Sequence, residues 1–289
     1  MNYRHGFHAG NFADVMKHAV LVQLVRALQK KEKGFLFLDT HAGRGSYDLA
    51  AAARGDSLAR KPEWPDGVGR LWAAAELRPE LDEYATVLRQ FDHDRGNRDA
   101  LPRFYPGSPW IARLLARTQD RLALCEKQPE ECAALAEEFQ FSPRTSVQEM
   151  DGYVALRAML PPPERRALVL IDAPFEDQDE FARIGAALRT GLARLPGGVF
   201  AVWYPLTERA RVDAFFAELR ALQPPATLLL ELAVAGEQSA LKMRGCGLVI
   251  FNPPWQFERV AEPMLRELAE LLAQQPGAGG RAEWLVPEK

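Results

Sequence analysis

Four predicted strands in this chain each end in a carboxylate: FLFLD at Asp39, RLALCE at Glu126, TSVQEMD at Asp151 and ALVLID at Asp172. One such acid is unremarkable, since turns favour aspartate. Four at one edge of a single sheet make a negative crevice, and in open α/β sheets ligands bind beyond the carboxyl ends of the strands. Such a crevice suits a cationic or hydroxyl-rich ligand. S-adenosylmethionine fits, with a sulfonium, an ammonium and a ribose diol but no phosphate. A dinucleotide fits less well, because Asp48 stands where the turn DTHAGRGS would need its third glycine and would repel a pyrophosphate. On the S-adenosylmethionine reading, the Gly43 and Gly45 turn lets the backbone approach the ligand. Glu126 then accepts the ribose hydroxyls, and Asp151 with Gly152 lies near the adenine. Turn acids that bind no ligand are the competing reading, and a nicotinamide-dependent oxidoreductase is a more distant one.

The residues after Ile171, Asp-Ala-Pro-Phe, point to a reaction. Methyl transfer to an exocyclic amino nitrogen needs an acceptor for the N–H hydrogens and a flat surface to hold the base. Asp172 supplies the first, Phe175 the second, and Pro174 stiffens the backbone between them. The amino lone pair is delocalised into the ring. Hydrogen bonds to Asp172 and a backbone carbonyl localise it for in-line attack, and holding the reactants at about 3–3.5 Å supplies much of the acceleration. The proton leaves late, so Asp172 need not be a strong base. Asn-Pro-Pro-Trp, Asn252 to Trp255, is a rival that matches the pattern of acid or amide, Pro, Pro, aromatic more closely. Position favours Asp172: the catalytic tetrapeptide of amino-methyltransferases follows the fourth strand of the sheet, and NPPW follows the last. Trp255 is then expected to close the core or the rim of the site.

Four of the five histidines, His5, His8, His18 and His41, lie in the first 41 residues. The preferred reading is ligand binding, with His18 on a helix facing the pocket and His41 in the cofactor turn. A metal site drawing on His5, His8, Asp14 and His18 is the alternative. No ligand set there has a recognised spacing, so no metal is expected. Scattered polar surface residues are the third reading. Cys125, Cys132 and Cys246 contain no Cys-x-x-Cys pair and read as buried thiols. The net charge of −3 gives no bulk basic field for non-specific nucleic-acid binding. No stretch approaches the roughly 18 apolar residues of a membrane span, and MNYRHGFHAG lacks a signal-peptide core, so a cytoplasmic location is expected.

The elements that must position these groups alternate. Asn11 to Lys33 reads as a helix capped by Asn11, with Val15, Val20, Leu24 and Leu28 on its apolar face. Its QKKEK end is read as complementing the helix dipole rather than binding a polyanion. From about Ser57 to Arg103, short helical pieces are broken by Pro62, Pro65, Pro79 and Gly96. This reads as an inserted helical subdomain (57–103) in a main domain formed by 1–56 and 104–289. Its RQFDHDRGNRDALPR stretch offers arginines for phosphate contacts, with acids interleaved. Beyond it, helices from Ser108, Pro129, Gly152, Glu180 and Thr207 alternate with strands, which argues for an α/β fold with a mostly parallel sheet covered on both sides. ATLLLELAVA and GCGLVIFNPPW are joined by a loop too short for a helical crossover and should pair antiparallel. QQPGAGG reads as a terminal loop.

Taken in order along the chain, YRHGFHAGNFADVMKH, LDTHAG, YPGSPWIA, DAPFE, WYPL and NPPW resemble the RlmJ family of bacterial 23S ribosomal RNA adenine-N(6) methyltransferases. The resemblance covers nearly the whole chain, and the opening block is its most specific part. It implies a Rossmann-like class I methyltransferase fold with a small helical insertion, S-adenosylmethionine as cofactor and 23S rRNA as substrate, protein-free or early in assembly, with the enzyme a monomer. Matching motif by motif, it assigns His18, His41, Ser108, Glu126, Asp151 with Gly152, and Asp172 to the cofactor. Asp172 is also the proton acceptor, and Tyr3 meets the RNA; Arg4 beside it offers a phosphate contact. Read from spacing alone, Ser108 is merely a helix cap. The family's tetrapeptide is Asp-Pro-Pro-Tyr, so Phe175 keeps the ring without the hydroxyl, and Ala173 loosens the loop. The same chemistry serves DNA adenine or a protein glutamine, and a catalytically weakened RNA-binding homologue is a further alternative.

Overall fold

The computed structural model describes residues 7–52 and 61–288. Helix α1 (Phe12–Gln29) precedes β1 (Leu36–Asp39), which turns through Gly43 and Gly45 into the short β2 (Ser46–Asp48) and α2 (Leu49–Ala52). Then α3 (Val68–Ala73) and α4 (Pro79–Asp94) lead to β3 (Phe104–Pro106), which pairs antiparallel with β2. The helices between residues 61 and 103 therefore leave and rejoin the chain at one two-stranded ribbon. Next come α5 (Ser108–Leu115), β4 (Arg121–Glu126), α6 (Pro129–Phe139), β5 (Thr145–Glu149), α7 (Gly152–Met159) and β6 (Ala167–Ile171). They are followed by α8 (Glu180–Arg194), β7 (Val199–Leu206), α9 (Arg209–Ala221), β8 (Thr227–Ala233), β9 (Gly245–Phe251), α10 (Phe257–Leu272) and β10 (Gly279–Val286).

The main sheet has eight strands in the order β10-β8-β9-β7-β6-β1-β4-β5. The five from β7 to β5 are parallel to one another, and β9 runs antiparallel to both β7 and β8, as the short connection requires. β1 and β6 read LFLD and ALVLI, without alternation and buried throughout, because helices cover both faces. One apolar cluster packs α1, α5 and α10 on one face, and a second packs α7, α8 and α9 on the other.

Helix α1 departs from expectation twice. Asn11 caps it, its side chain accepting from the Ala13 and Asp14 N–H groups at 3.0 Å, but the helix ends at Gln29 rather than Lys33. The lysines of QKKEK thus sit at or beyond its C-cap. The polar side is also inside, with Asp14, Lys17 and His18 all buried, because α4, α5 and α10 close over a helix already lying on the sheet. The C-terminal segment departs too. QQPGAGG leads into β10, an edge strand paired with β8, whose alternating exposure follows from Arg281 and Glu283 interleaved with Ala282 and Trp284. No helix among the described residues is long and apolar enough to cross a membrane.

Candidate active site

Because β6, β1, β4 and β5 are adjacent and parallel, Asp172, Asp39, Glu126 and Asp151 line up at one carboxyl edge of the sheet. Asp39 is fully buried. Its Oδ2 accepts from the Ser108 hydroxyl at 2.6 Å and its Oδ1 from the His41 N–H at 3.3 Å. Burial pushes its carboxyl up to about 7, Asp172 adding to the rise and the Ser108 hydrogen bond opposing it. Ser108 is therefore not a cap. Gly107 occupies the N-cap position of α5, and the Ser108 side chain turns down onto Asp39 instead.

Glu126 organises the glycine turn. Its Oε2 accepts from the Gly43 N–H at 2.9 Å and its Oε1 from the Gln128 N–H at 2.8 Å. Gly43 and Gly45 have φ of +59° and +92°, a conformation that side chains disfavour. Asp151 caps α7 by accepting from the Tyr153 N–H at 2.9 Å, and its other oxygen faces Arg183 at 3.3 Å and Lys127 at 3.6 Å. A Cβ on Gly152 would lie 2.0 Å from the Thr40 carbonyl oxygen, so the glycine lets α7 start directly against the end of β1.

The histidines separate. His18 is buried, with Nδ1 2.7 Å from the Tyr105 hydroxyl, which lies 2.9 Å from the hydroxyl of Tyr84 on α4. His41 Nδ1 is 2.8 Å from the Thr40 hydroxyl, and its ring meets Tyr153 edge-on. Burial lowers its pKa to about 4, against the pull of Asp172 and Asp151. His8 pairs with Glu63 at 3.0 Å. Among the described residues, no three metal-ligating side chains cluster. His5, Tyr3 and Arg4 lie outside the described residues. The three cysteines are buried thiols, and burial raises Cys125 and Cys246 to about 12.

Asp172 has a partner that the sequence does not announce. The Lys17 ammonium lies 2.5 Å from Asp172 Oδ2 and 2.8 Å from Asp14 Oδ1, while Asp14 Oδ2 accepts from the Gly10 N–H at 3.0 Å. Lys17 and Asp14 are both almost wholly inside. Burial alone would lower the Lys17 pKa, but Asp14 and Asp172 hold it well above the usual value. The signal available in the sequence is an acid and a base three residues apart on a helix. Phe175 is half-buried, braced by Phe181 and Trp203 with ring centroids at 4.9 and 5.8 Å.

NPPW lies elsewhere. β9 is antiparallel to β7, and Phe251 pairs with Phe200 near the start of β7, so Asn252 emerges at the edge opposite Asp172. The Asn252 amide donates to the Pro196 and Gly198 carbonyls there, both at 2.8 Å. Trp255 closes neither the core nor the site rim; it is 77% exposed. The arginines expected to serve phosphates from the insertion are largely engaged. Arg95 pairs with Glu138 at 2.6 Å, Arg103 with Asp48 at 3.6 Å and Arg89 with Asp82 at 3.9 Å.

The two shifted groups oppose each other in stability. Between about pH 4 and 7 the unfolded chain ionises Asp39 while the folded chain keeps it protonated, so stability falls as pH rises, by up to about 4 kcal/mol. Between about pH 4 and 6.5 the unfolded chain protonates His41 and the folded chain does not, so stability rises with pH. Asp39→Asn is expected to leave the rising limb and His41→Gln the falling one, read as urea midpoints across pH 4–7.5. Unchanged profiles in both variants would refute the assignment.

A family model described as Ribosomal RNA large subunit methyltransferase D, RlmJ, matches residues 32–286. Two curated proteins named Ribosomal RNA large subunit methyltransferase J are similar over 288 residues, covering 100% of both chains. They are 38% identical in Escherichia coli and 36% in Haemophilus influenzae. The crystal structure of protein LPL1258 from Legionella pneumophila is 34% identical, with a TM-score of 0.83 over 96% of this chain and 97% of that one.

Proposed function

Since the chain belongs to the RlmJ family of ribosomal RNA large subunit methyltransferases, we propose that it methylates the exocyclic amino group of an adenine in 23S rRNA, with S-adenosylmethionine as donor. The observation that carries this reading is Asp172, set at the end of β6 beside three further strand-end acids and gripped by Lys17. The residues fit the cofactor: the carboxylates of Glu126, Asp151 and Asp172 suit a cationic, hydroxyl-bearing ligand without phosphate, and the left-handed glycine turn brings backbone rather than side chain to it. S-adenosylmethionine, when bound, supplies an electrophilic methyl carbon. Glu126 keeps lone pairs free for the ribose diol after its two backbone bonds. His18, His41, Gly43, Asp151 and Gly152 complete the cofactor set, and Ser108 acts through Asp39. The helical insertion, described from residue 61 to 103, is a subdomain of its own, and Tyr3 and Arg4, outside the described residues, meet the RNA.

Lys17 occupies Asp172 Oδ2, which leaves Oδ1 to accept from the adenine amino group and then to take the proton. Phe175, braced from behind, stacks on the base. An adenine in a duplex cannot reach the site, so the base is unpaired or flipped, at a cost of a few kcal/mol. Phe175→Ala is expected to lower kcat/KM about ten- to a hundredfold, in line with about 1–3 kcal/mol for stacking. Trp255→Ala, at the far edge, should leave it unchanged. Equal effects in the two variants would return NPPW to contention.

The reading is tested by incubating the protein with methyl-labelled S-adenosylmethionine and protein-free, unmodified 23S rRNA, then identifying the labelled nucleoside by mass. Label in N(6)-methyladenosine is expected. Label in another nucleoside, or none, overturns the proposal.

A further inference from the structure

The edge of the sheet where the parallel strands begin carries the opposite charge from the edge that holds Asp172. Lys30, Lys31 and Lys33 follow α1, Arg144 precedes β5 and Arg165 precedes β6, and all five are exposed. The buried Asp120 nearby is taken by Arg117 at 3.0 Å, and Glu164 by Arg121 at 2.8 Å. Glu32 is the one acid set between the lysines. The segments converge in space. The Arg166 guanidinium donates to the Leu28 carbonyl at 2.7 Å and to that of Lys33, and Arg117 donates to the Gln29 and Lys31 carbonyls at 3.0 Å. Burial and the neighbouring Arg117 pull the Arg166 pKa down, against the pull of Asp120, which is paired with Arg117.

The helix dipole does not account for this excess. Arg117 and Arg166 already satisfy the last carbonyls of α1, and the three lysines lie at or past its end, where the dipole effect fades. The carbonyls satisfy the Arg166 hydrogens without cancelling its charge, and with the five exposed cations this edge stays cationic in a chain of net charge −3. Of the insertion arginines, Arg89, Arg95 and Arg103 are by contrast paired with carboxylates, and Arg98 donates to the His93 and Asn97 carbonyls.

We propose that this basic edge is a second RNA-binding surface, holding the phosphate backbone of a substrate segment remote from the target base; the inference rests on the rRNA reading above. Strands of about five residues at roughly 3.3 Å each place the two edges about 17 Å apart before loops are added. The segment bound here is therefore a different part of a folded RNA from the one that delivers the adenine. Several exposed cations with no ion pair among the described residues, gathered on one surface, suit a polyanion, whose affinity then depends on salt.

The test uses the full chain with Lys30, Lys31, Lys33, Arg144 and Arg165 all changed to Gln. Its probes are protein-free 23S rRNA and a short hairpin transcript around the nucleotide that the wild-type protein labels. Affinity for 23S rRNA is expected to fall at least tenfold. The slope of log affinity against log salt should flatten by up to about 3.5, at about 0.7 for each phosphate no longer neutralised. Transfer to the hairpin and binding of S-adenosylhomocysteine should stay unchanged. Unaltered 23S rRNA affinity and slope would overturn the inference. So would an equal loss on rRNA and hairpin, which would make the edge a general field rather than a remote binding surface. If the wild-type protein labels no rRNA, the underlying reading fails before any variant is made, and this inference fails with it.

Discussion

Asp172→Asn is expected to slow methyl transfer about a thousandfold, in the middle of the range for a positioned proton acceptor, while cofactor affinity changes less than tenfold. The geometry makes asparagine a poor substitute. Lys17 sits 2.5 Å from one carboxylate oxygen, and an ammonium has donors only. The amide must turn its oxygen to Lys17 and hence its NH2 toward the adenine amino group. Donor then faces donor, so the variant loses an acceptor and gains a repulsion. Single-turnover transfer to 23S rRNA, with S-adenosylhomocysteine binding measured beside it, separates the two effects. A rate within tenfold of wild type would remove Asp172 from the chemistry.

Lys17→Met should cost roughly 3–5 kcal/mol of stability, the usual penalty for stripping one partner from a buried charge cluster. Asp14 is 4% exposed and Asp172 19%, so both carboxylates lose a cation that water replaces poorly. Adding Asp14→Asn to Lys17→Met should recover much of the loss, because the most deeply buried orphaned charge is then gone. Urea unfolding of wild type, single and double variants measures this. A single variant as stable as wild type would mean that Lys17 is not the buried counter-charge. Transfer should fall in both variants, since neither holds Asp172 in place.

The strand-end acids are legible in the sequence because a parallel sheet puts every carboxyl end on the same edge, so four local patterns add up to one place. Lys17 is not legible in that way. A lysine on a helix is solvated by default, but this helix is packed by α4, α5 and α10, elements distant in sequence, and Lys17 meets Asp172 from the end of β6. Ser108 misleads for a local reason: a hydroxyl at a helix start reads as a cap, but Gly107 holds that position, its N–H bonded to the Gly45 carbonyl at 2.8 Å. NPPW satisfies a residue pattern yet follows a strand that runs the other way. The information needed was the direction of β9, which the short β8–β9 connection already contains. Tyr84 and Tyr105, which form the hydroxyl chain to His18, lie on the insertion helix and its returning strand, where periodicity shows burial but not partners.

β10 has a consequence for handling the protein. β8 is rich in leucine, carries the buried Glu231, and is buried from Thr227 to Leu232. Its free side is covered by β10, which is fastened through Arg281 to the buried Glu231 at 2.5 Å. Removing β10 by a cut near Gly279 would unmask a leucine-rich strand with unpaired amides and strip Glu231 of Arg281. Such a strand is a template for pairing with its own copies. The polar, alternating C-terminal strand therefore works as a solubility shield, and a shortened product is more prone to inclusion bodies than to partial activity.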